Sequence, residues 1–173
     1  GVSRVRSLEK ILEWGNTSLS NDEFKEKMAA KNDHYLSYIT NLTSEDILPG
    51  VPKIIDFLSD QNIPISLGSA SKNARPILKK TGLMDKFQAI VDGNDVSKAK
   101  PDPEVFLIAA EKIGVAQENC LVFEDSVAGV QAANIAGMIS IGIGEKDVLH
   151  EADYVFSSFE EIEIDFIKNL LNT

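Results

Sequence analysis

Four side chains in this sequence are of the types that grip and move a phosphoryl group: the hydroxyl of Ser69, the ammonium of Lys100 and the carboxylates of Glu124 and Asp125. A hydroxyl and an ammonium orient and neutralise the equatorial oxygens of a transferring phosphoryl group. Adjacent carboxylates offer hard oxygens to magnesium, which fills the rest of its octahedron with water. Ser71-Lys72-Asn73 adds donors where a helix begins, a natural place for an anion. Each signal also has a plainer reading. Asp125 beside Ser126 fits a helix cap worth about 1 kcal/mol, and a lysine before a proline, as at Lys100-Pro101, is commonly a surface charge on extended backbone. Their weight comes from shared placement at strand ends, where open α/β sheets bind ligands.

The elements that place them follow from the pattern of apolar residues. From Leu48 onwards strands and helices alternate. Ile63–Gly68, Ala89–Val91, Cys120–Phe123, Ile139–Ile143 and Tyr154–Phe156 read as short buried strands, with helices between them that stop at Gly82, Gly114 and Gly137. Strands that are nearly all apolar and separated by helices predict a parallel sheet covered on both faces. Residues 1–46 read differently, as helices only. Leu8, Ile11 and Leu12 give a short apolar face, and Ser20 with Glu23 predicts a capping box. The following stripe of Phe24, Met28, Lys31, Tyr35 and Ile39 is interrupted by Lys31. That lysine either packs its stem with its head in water or aims an ammonium into a cleft. Trp14 and Cys120 are expected in the core, and His34 and His150 on the surface.

Composition narrows the classes. The 173 residues suffice for one sizeable core with an appendage, and a net charge of -10 argues against nucleic acid or anionic membranes as partners. An anionic substrate needs only a locally positive cleft. The single cysteine excludes an internal disulfide and fits a reducing, cytoplasmic setting. No apolar run approaches the roughly 20 residues that cross a bilayer.

At Ser69-Ala70-Ser71-Lys72-Asn73, Lys100-Pro101 and Glu124-Asp125-Ser126 the chain resembles the second, third and fourth motifs of the haloacid dehalogenase superfamily. Gly1-Val2-Ser3-Arg4 with Ser7-Leu8, and Lys31-Asn32-Asp33, bring it close to the β-phosphoglucomutase family within it. The resemblance spans essentially all 173 residues. It implies a Rossmann-like α/β core at 47–173 and a partial helical cap at 1–46. It further implies interconversion of β-glucose 1-phosphate and glucose 6-phosphate through a bisphosphate and an aspartyl-phosphate, with Mg2+ as cofactor. By position, Ser69 and Lys100 would hold the transferring phosphoryl group, and Glu124 and Asp125 the metal. Arg4, with Ser3 and Ser7, would grip the distal phosphate, while Lys31, Ser71, Lys72 and Asn73 face the sugar or the other phosphate. Gly1, Val2 and Ala70 lie in the same substrate-contacting stretches. The partner is then a small sugar phosphate, and the protein a monomer.

One family feature has no counterpart. The family's Asp-x-Asp, which supplies the nucleophile and the general acid/base, follows the first core strand. Asp92-Gly93-Asn94-Asp95 has the wrong arrangement, and Asp102 follows Lys100 in another role. The expectation is a segment of the same protein preceding Gly1 that carries this central strand. Without it the remaining strands would split and leave unpaired edges, so the 173 residues alone are predicted neither to fold stably nor to turn over substrate. A sugar-phosphate phosphatase and a non-catalytic phosphosugar-binding remnant stay open beside the mutase.

Overall fold

The computed structural model describes residues 4–171 of the chain. Two helices come first, α1 (Arg4–Trp14) and α2 (Asn21–Thr40). Ser20 caps α2 as its sequence predicts: its hydroxyl accepts from the Glu23 amide while the Glu23 carboxylate accepts from the Ser20 amide at 2.9 Å. The remainder alternates helix and strand: α3 (Val51–Asp60), β1 (Ser66–Gly68), α4 (Ala74–Thr81), β2 (Ala89–Val91), α5 (Glu104–Ile113), β3 (Leu121–Glu124), α6 (Val127–Ile135), β4 (Ile139–Ile143), β5 (Tyr154–Phe156) and α7 (Ile164–Leu171). Gly82 and Gly114 end α4 and α5 in the left-handed region that favours glycine.

All described strand pairs are parallel, and they stand in two sheets. β1 pairs with β2, and β3–β4–β5 stand together, with Phe123 opposite Ile141 and Gly142 opposite Val155. β1 and β3 each have one edge without a strand partner among the described residues. An apolar slot of about 410 Å³ lies between them, walled by Leu67, Val122 and Phe123 and floored by Ile54, Phe106 and Ile167.

Helices cover both faces because alternate strand residues point oppositely. Val122 joins the cluster of Val91, Val105, Phe106, Ala109, Ala132 and Ala133 beneath α5 and α6. Its neighbours Leu121 and Phe123 pack instead on Ile54, Ile162 and Ile167 beneath α3 and α7. The first strand is shorter than the apolar run Ile63–Gly68 predicts. Pro64 has no amide to give, and the Ile65 amide donates to the Gln88 side chain at 2.6 Å instead of entering a ladder.

Trp14 corrects another expectation: it is 80% exposed. It is the last residue of α1, whose described packing is against α2. Cys120 is half-buried against the α5–α6 cluster, and His34 and His150 are exposed. No helix among the described residues is long and apolar enough to cross a membrane. Ile141, at the middle of β4, has no exposed surface. Ile141→Ala should lower the unfolding free energy by about 2–5 kcal/mol, measured by urea denaturation.

Candidate phosphoryl-transfer site

At the carboxyl ends of β1 and β3 the chain encloses a cavity of about 820 Å³. Ser69, Ala70, Ser71, Lys72 and Asn73 line it from the loop after β1, and Lys100 from the loop before α5. Glu124 and Asp125 line it from the end of β3. Met28, Lys31, Asn32 and Tyr35 close it from α2, and Val5 from α1. Lys31 is exposed and faces this space, which favours the second of its two readings.

Lys100 is the fixed point of the site. It is 8% exposed, and its ammonium donates to Glu124 Oε2 at 2.8 Å and to the Gly68 carbonyl at 3.1 Å. The Phe106 ring lies beneath it, 4.3 Å from ammonium to centroid. A carboxylate, a carbonyl and an aromatic face thus surround the buried ammonium. The loop carrying it is clamped by Glu104, whose carboxylate accepts from the Ser97 and Lys98 amides at 2.9 and 2.6 Å and from the Ser97 hydroxyl. The Lys98 amide bond is the chief cause holding the Glu104 carboxyl below its usual value, reinforced by the Ser97 donors and opposed by partial desolvation.

The loop after β1 shapes itself in a similar way. Ser69 Oγ accepts from the Ser71 amide and Ser71 Oγ from the Asn73 amide, each at 3.1 Å. Both hydroxyl protons remain available to an anion.

Glu124 is more committed than its sequence suggests. Oε2 is on Lys100, and Oε1 accepts from Ser126 Oγ at 2.6 Å. Its carboxylate also lies where a side chain at position 129 would be, so Gly129 makes room for it. Asp125 by contrast is exposed on the cavity. For magnesium the two carboxylates are chemically suitable, with Asp125 open to a direct bond. No cluster of three or more potential ligands exists among the described residues, so the rest of the coordination would come from water and phosphate oxygens.

Of the other sequence candidates, Ser7 is half-buried on α1 and does not line the cavity. Gly1, Val2 and Ser3 lie outside the described residues, and so does the side chain of Arg4. Glu104, Phe106, Gly129 and, on the loop after β2, Gly93, Val96 and Ser97 were not singled out by the sequence. A signal existed for Glu104, an acid at the first turn of an apolar helix immediately after Lys100-Pro101-Asp102-Pro103.

Residues 3–137 match the haloacid dehalogenase-like hydrolase family. The chain is 39% identical over 169 residues to the β-phosphoglucomutase of Bacillus subtilis, covering 96% of this chain and 75% of that one. It is 31% identical over 140 residues to a phosphorylated carbohydrates phosphatase of Thermotoga maritima, covering 80% of this chain and 62% of that one. A crystal structure of β-phosphoglucomutase from Clostridium difficile superposes with a TM-score of 0.91 at 40% identity, covering 99% of this chain and 78% of that one.

Two outcomes test the site. Gly129→Ala should push Glu124 off Lys100 and lower turnover of the complete enzyme about 10²–10³-fold, measured by steady-state kinetics. Because its folded value is depressed, Glu104 stabilises the fold above the ordinary glutamate range, and that contribution is lost as pH falls through the lowered value. Melting temperature followed from pH 7 to pH 3 should therefore fall less steeply at the acid end in Glu104→Gln than in the parent.

Proposed function

This chain belongs to the haloacid dehalogenase-like hydrolase family, and from that premise we propose that it is the larger part of a β-phosphoglucomutase. Residues 1–46 form part of its cap and residues 47–173 its core. The reaction converts β-glucose 1-phosphate to glucose 6-phosphate by way of a bisphosphate and an aspartyl-phosphate. The observation that carries the proposal is the convergence of the Lys100–Glu124 pair, the Ser69–Asn73 loop and Lys31 of α2 on one cavity.

Ser69 and Lys100 hold the transferring phosphoryl group, while Ser71, Lys72, Asn73 and Lys31 hold the sugar and the remote phosphate. Arg4, with Ser3, would engage that remote phosphate from the cap. A guanidinium suits this task because it presents two parallel donors to a phosphate. Asp125 and Glu124 would hold Mg2+, directly or through its waters. The ion, when bound, supplies positive charge against the oxygens of the transferring group. Closure of α1 and α2 over the cavity would exclude water, whose attack would make a phosphatase of the enzyme.

The aspartate nucleophile belongs, in this reading, to a further segment of the same protein that enters the slot between β1 and β3. Support comes from the slot itself, since β1 and β3 each border it with an edge that has no strand partner among the described residues and its walls are apolar. A monomeric, cytoplasmic enzyme acting on small sugar phosphates, with no nucleic acid or membrane partner, fits the charge of -10 and the single cysteine. A sugar-phosphate phosphatase is the second reading, favoured by the likeness to the Thermotoga enzyme.

The test supplies the chain with a preceding segment bearing an apolar strand and Asp-x-Asp, either fused or mixed. Conversion of β-glucose 1-phosphate to glucose 6-phosphate is then expected, dependent on Mg2+ and lowered about 10²–10³-fold by Lys100→Ala. Release of inorganic phosphate as the main product would establish the phosphatase instead. Binding of the sugar phosphate without turnover of any kind would leave a non-catalytic phosphosugar binder.

A further inference from the structure

The most deeply buried carboxylate in the described structure takes no part in the chemistry above. Asp92, at the end of β2, has no exposed surface. Its Oδ2 has no hydrogen-bond partner and is balanced by the Arg75 guanidinium, with Nε 3.0 Å away. Its Oδ1 accepts from the Asn94 amide at 2.8 Å and from Asn94 Nδ2 at 2.9 Å. Arg75, on the first turn of α4, also donates to the Ile90 carbonyl and to Asp95 Oδ2, each at 3.0 Å. The Asp92 amide completes the ring by donating to Asp95 Oδ2 at 2.9 Å. That bond is the chief cause holding the Asp95 carboxyl below its usual value.

This ring stands directly behind the Ser69–Asn73 loop. Asn94 Nδ2, oriented by Asp92, donates to the Lys72 carbonyl at 3.3 Å, and the Gly93 amide donates to the Ser71 carbonyl at 3.3 Å. A side chain at position 93 would meet the Ala70 carbonyl at 2.5 Å, so the two loops touch backbone to backbone. Arg75 meanwhile ties down the helix into which the loop runs. An uncompensated buried charge is costly, so Asp92 and Arg75 must keep their places together.

We propose that Arg75 and Asp92 are positioning residues that set the Ser69–Asn73 loop, and Lys72 above all, for the remote phosphate of the substrate. The inference rests on the sugar-phosphate reading of this cavity. Its distinguishing feature is action through Lys72. A pair that merely secured the end of β2 would change stability without changing affinity.

The experiment measures Kd for glucose 6-phosphate by isothermal titration calorimetry, with melting temperature in parallel, on the complete enzyme. The variants are Arg75→Lys, Asp92→Asn and Asn94→Ala, each alone and combined with Lys72→Ala. Asn94 is exposed, so its variant folds even where burial makes Asp92→Asn fail. Each single variant should raise Kd about tenfold, the scale of one charge-assisted contact. Combined with Lys72→Ala, none should weaken binding further, because residues acting through one group are not additive. Full additivity with Lys72→Ala, or a lowered melting temperature with unchanged Kd, overturns the inference while leaving the site reading intact. A parent enzyme that binds glucose 6-phosphate no better than Lys72→Ala does overturns the site reading and the inference with it.

Discussion

The buried pair of Lys100 and Glu124 is the contact on which the arrangement of this protein turns. Lys100 arrives on the loop that follows β2, in one sheet, and Glu124 ends β3, in the other. Their 2.8 Å contact, with the bond from Lys100 to the Gly68 carbonyl, spans the mouth of the slot between the sheets. Charges only 5% and 10% exposed gain less from each other than they lose in hydration unless further partners complete them. Here they do. The Gly68 carbonyl and the Phe106 ring complete the ammonium, and Ser126 completes the carboxylate. Removing one member of such a pair typically costs about 3–5 kcal/mol, so the same contact that lines the cavity also joins the two sheets.

From that pair the rest is a succession of supports. Glu104 holds the loop that brings Lys100 in, and Gly129 leaves the space in which Glu124 turns toward it. The Ser69–Asn73 loop lies on the other side of the cavity, braced by the loop after β2. Ser69, Lys100 and Asp125 are thus carried by loops, two of which meet through the bond from the Gly93 amide to the Ser71 carbonyl, and the sheets supply direction.

Much of this was legible in the sequence because local chemistry declared it. The Ser20–Glu23 box, the glycine stops of α4 and α5, and the apolar runs of β2, β4 and β5 fall where their residues predict. So does the gathering of Ser69, Lys100, Glu124 and Asp125 at strand ends. What was not legible depends on residues distant in sequence. Asp92 stands in a run that lacks the Asp-x-Asp arrangement, and nothing local announces that Arg75 and Asn94 close around it. Nothing in the sequence announces that Lys100 and Ser126 bond both oxygens of Glu124. Trp14 reads as core, yet a helix end with one described neighbouring helix gives an indole nothing to enter.

The far end of α2 has a mechanical meaning. Lys80 of α4 donates to the carbonyl of Thr40, the last residue of α2, at 3.0 Å, and the neighbouring Ile39 is buried. Lys31 sits nine residues back along the same helix, about 13 Å from that anchor at 1.5 Å per residue. Anchored there, the helix is a lever with its fulcrum outside the cavity. A tilt of about 10° would carry the Lys31 backbone roughly 2 Å, enough to make or break a hydrogen bond to a ligand while the anchoring contacts barely move.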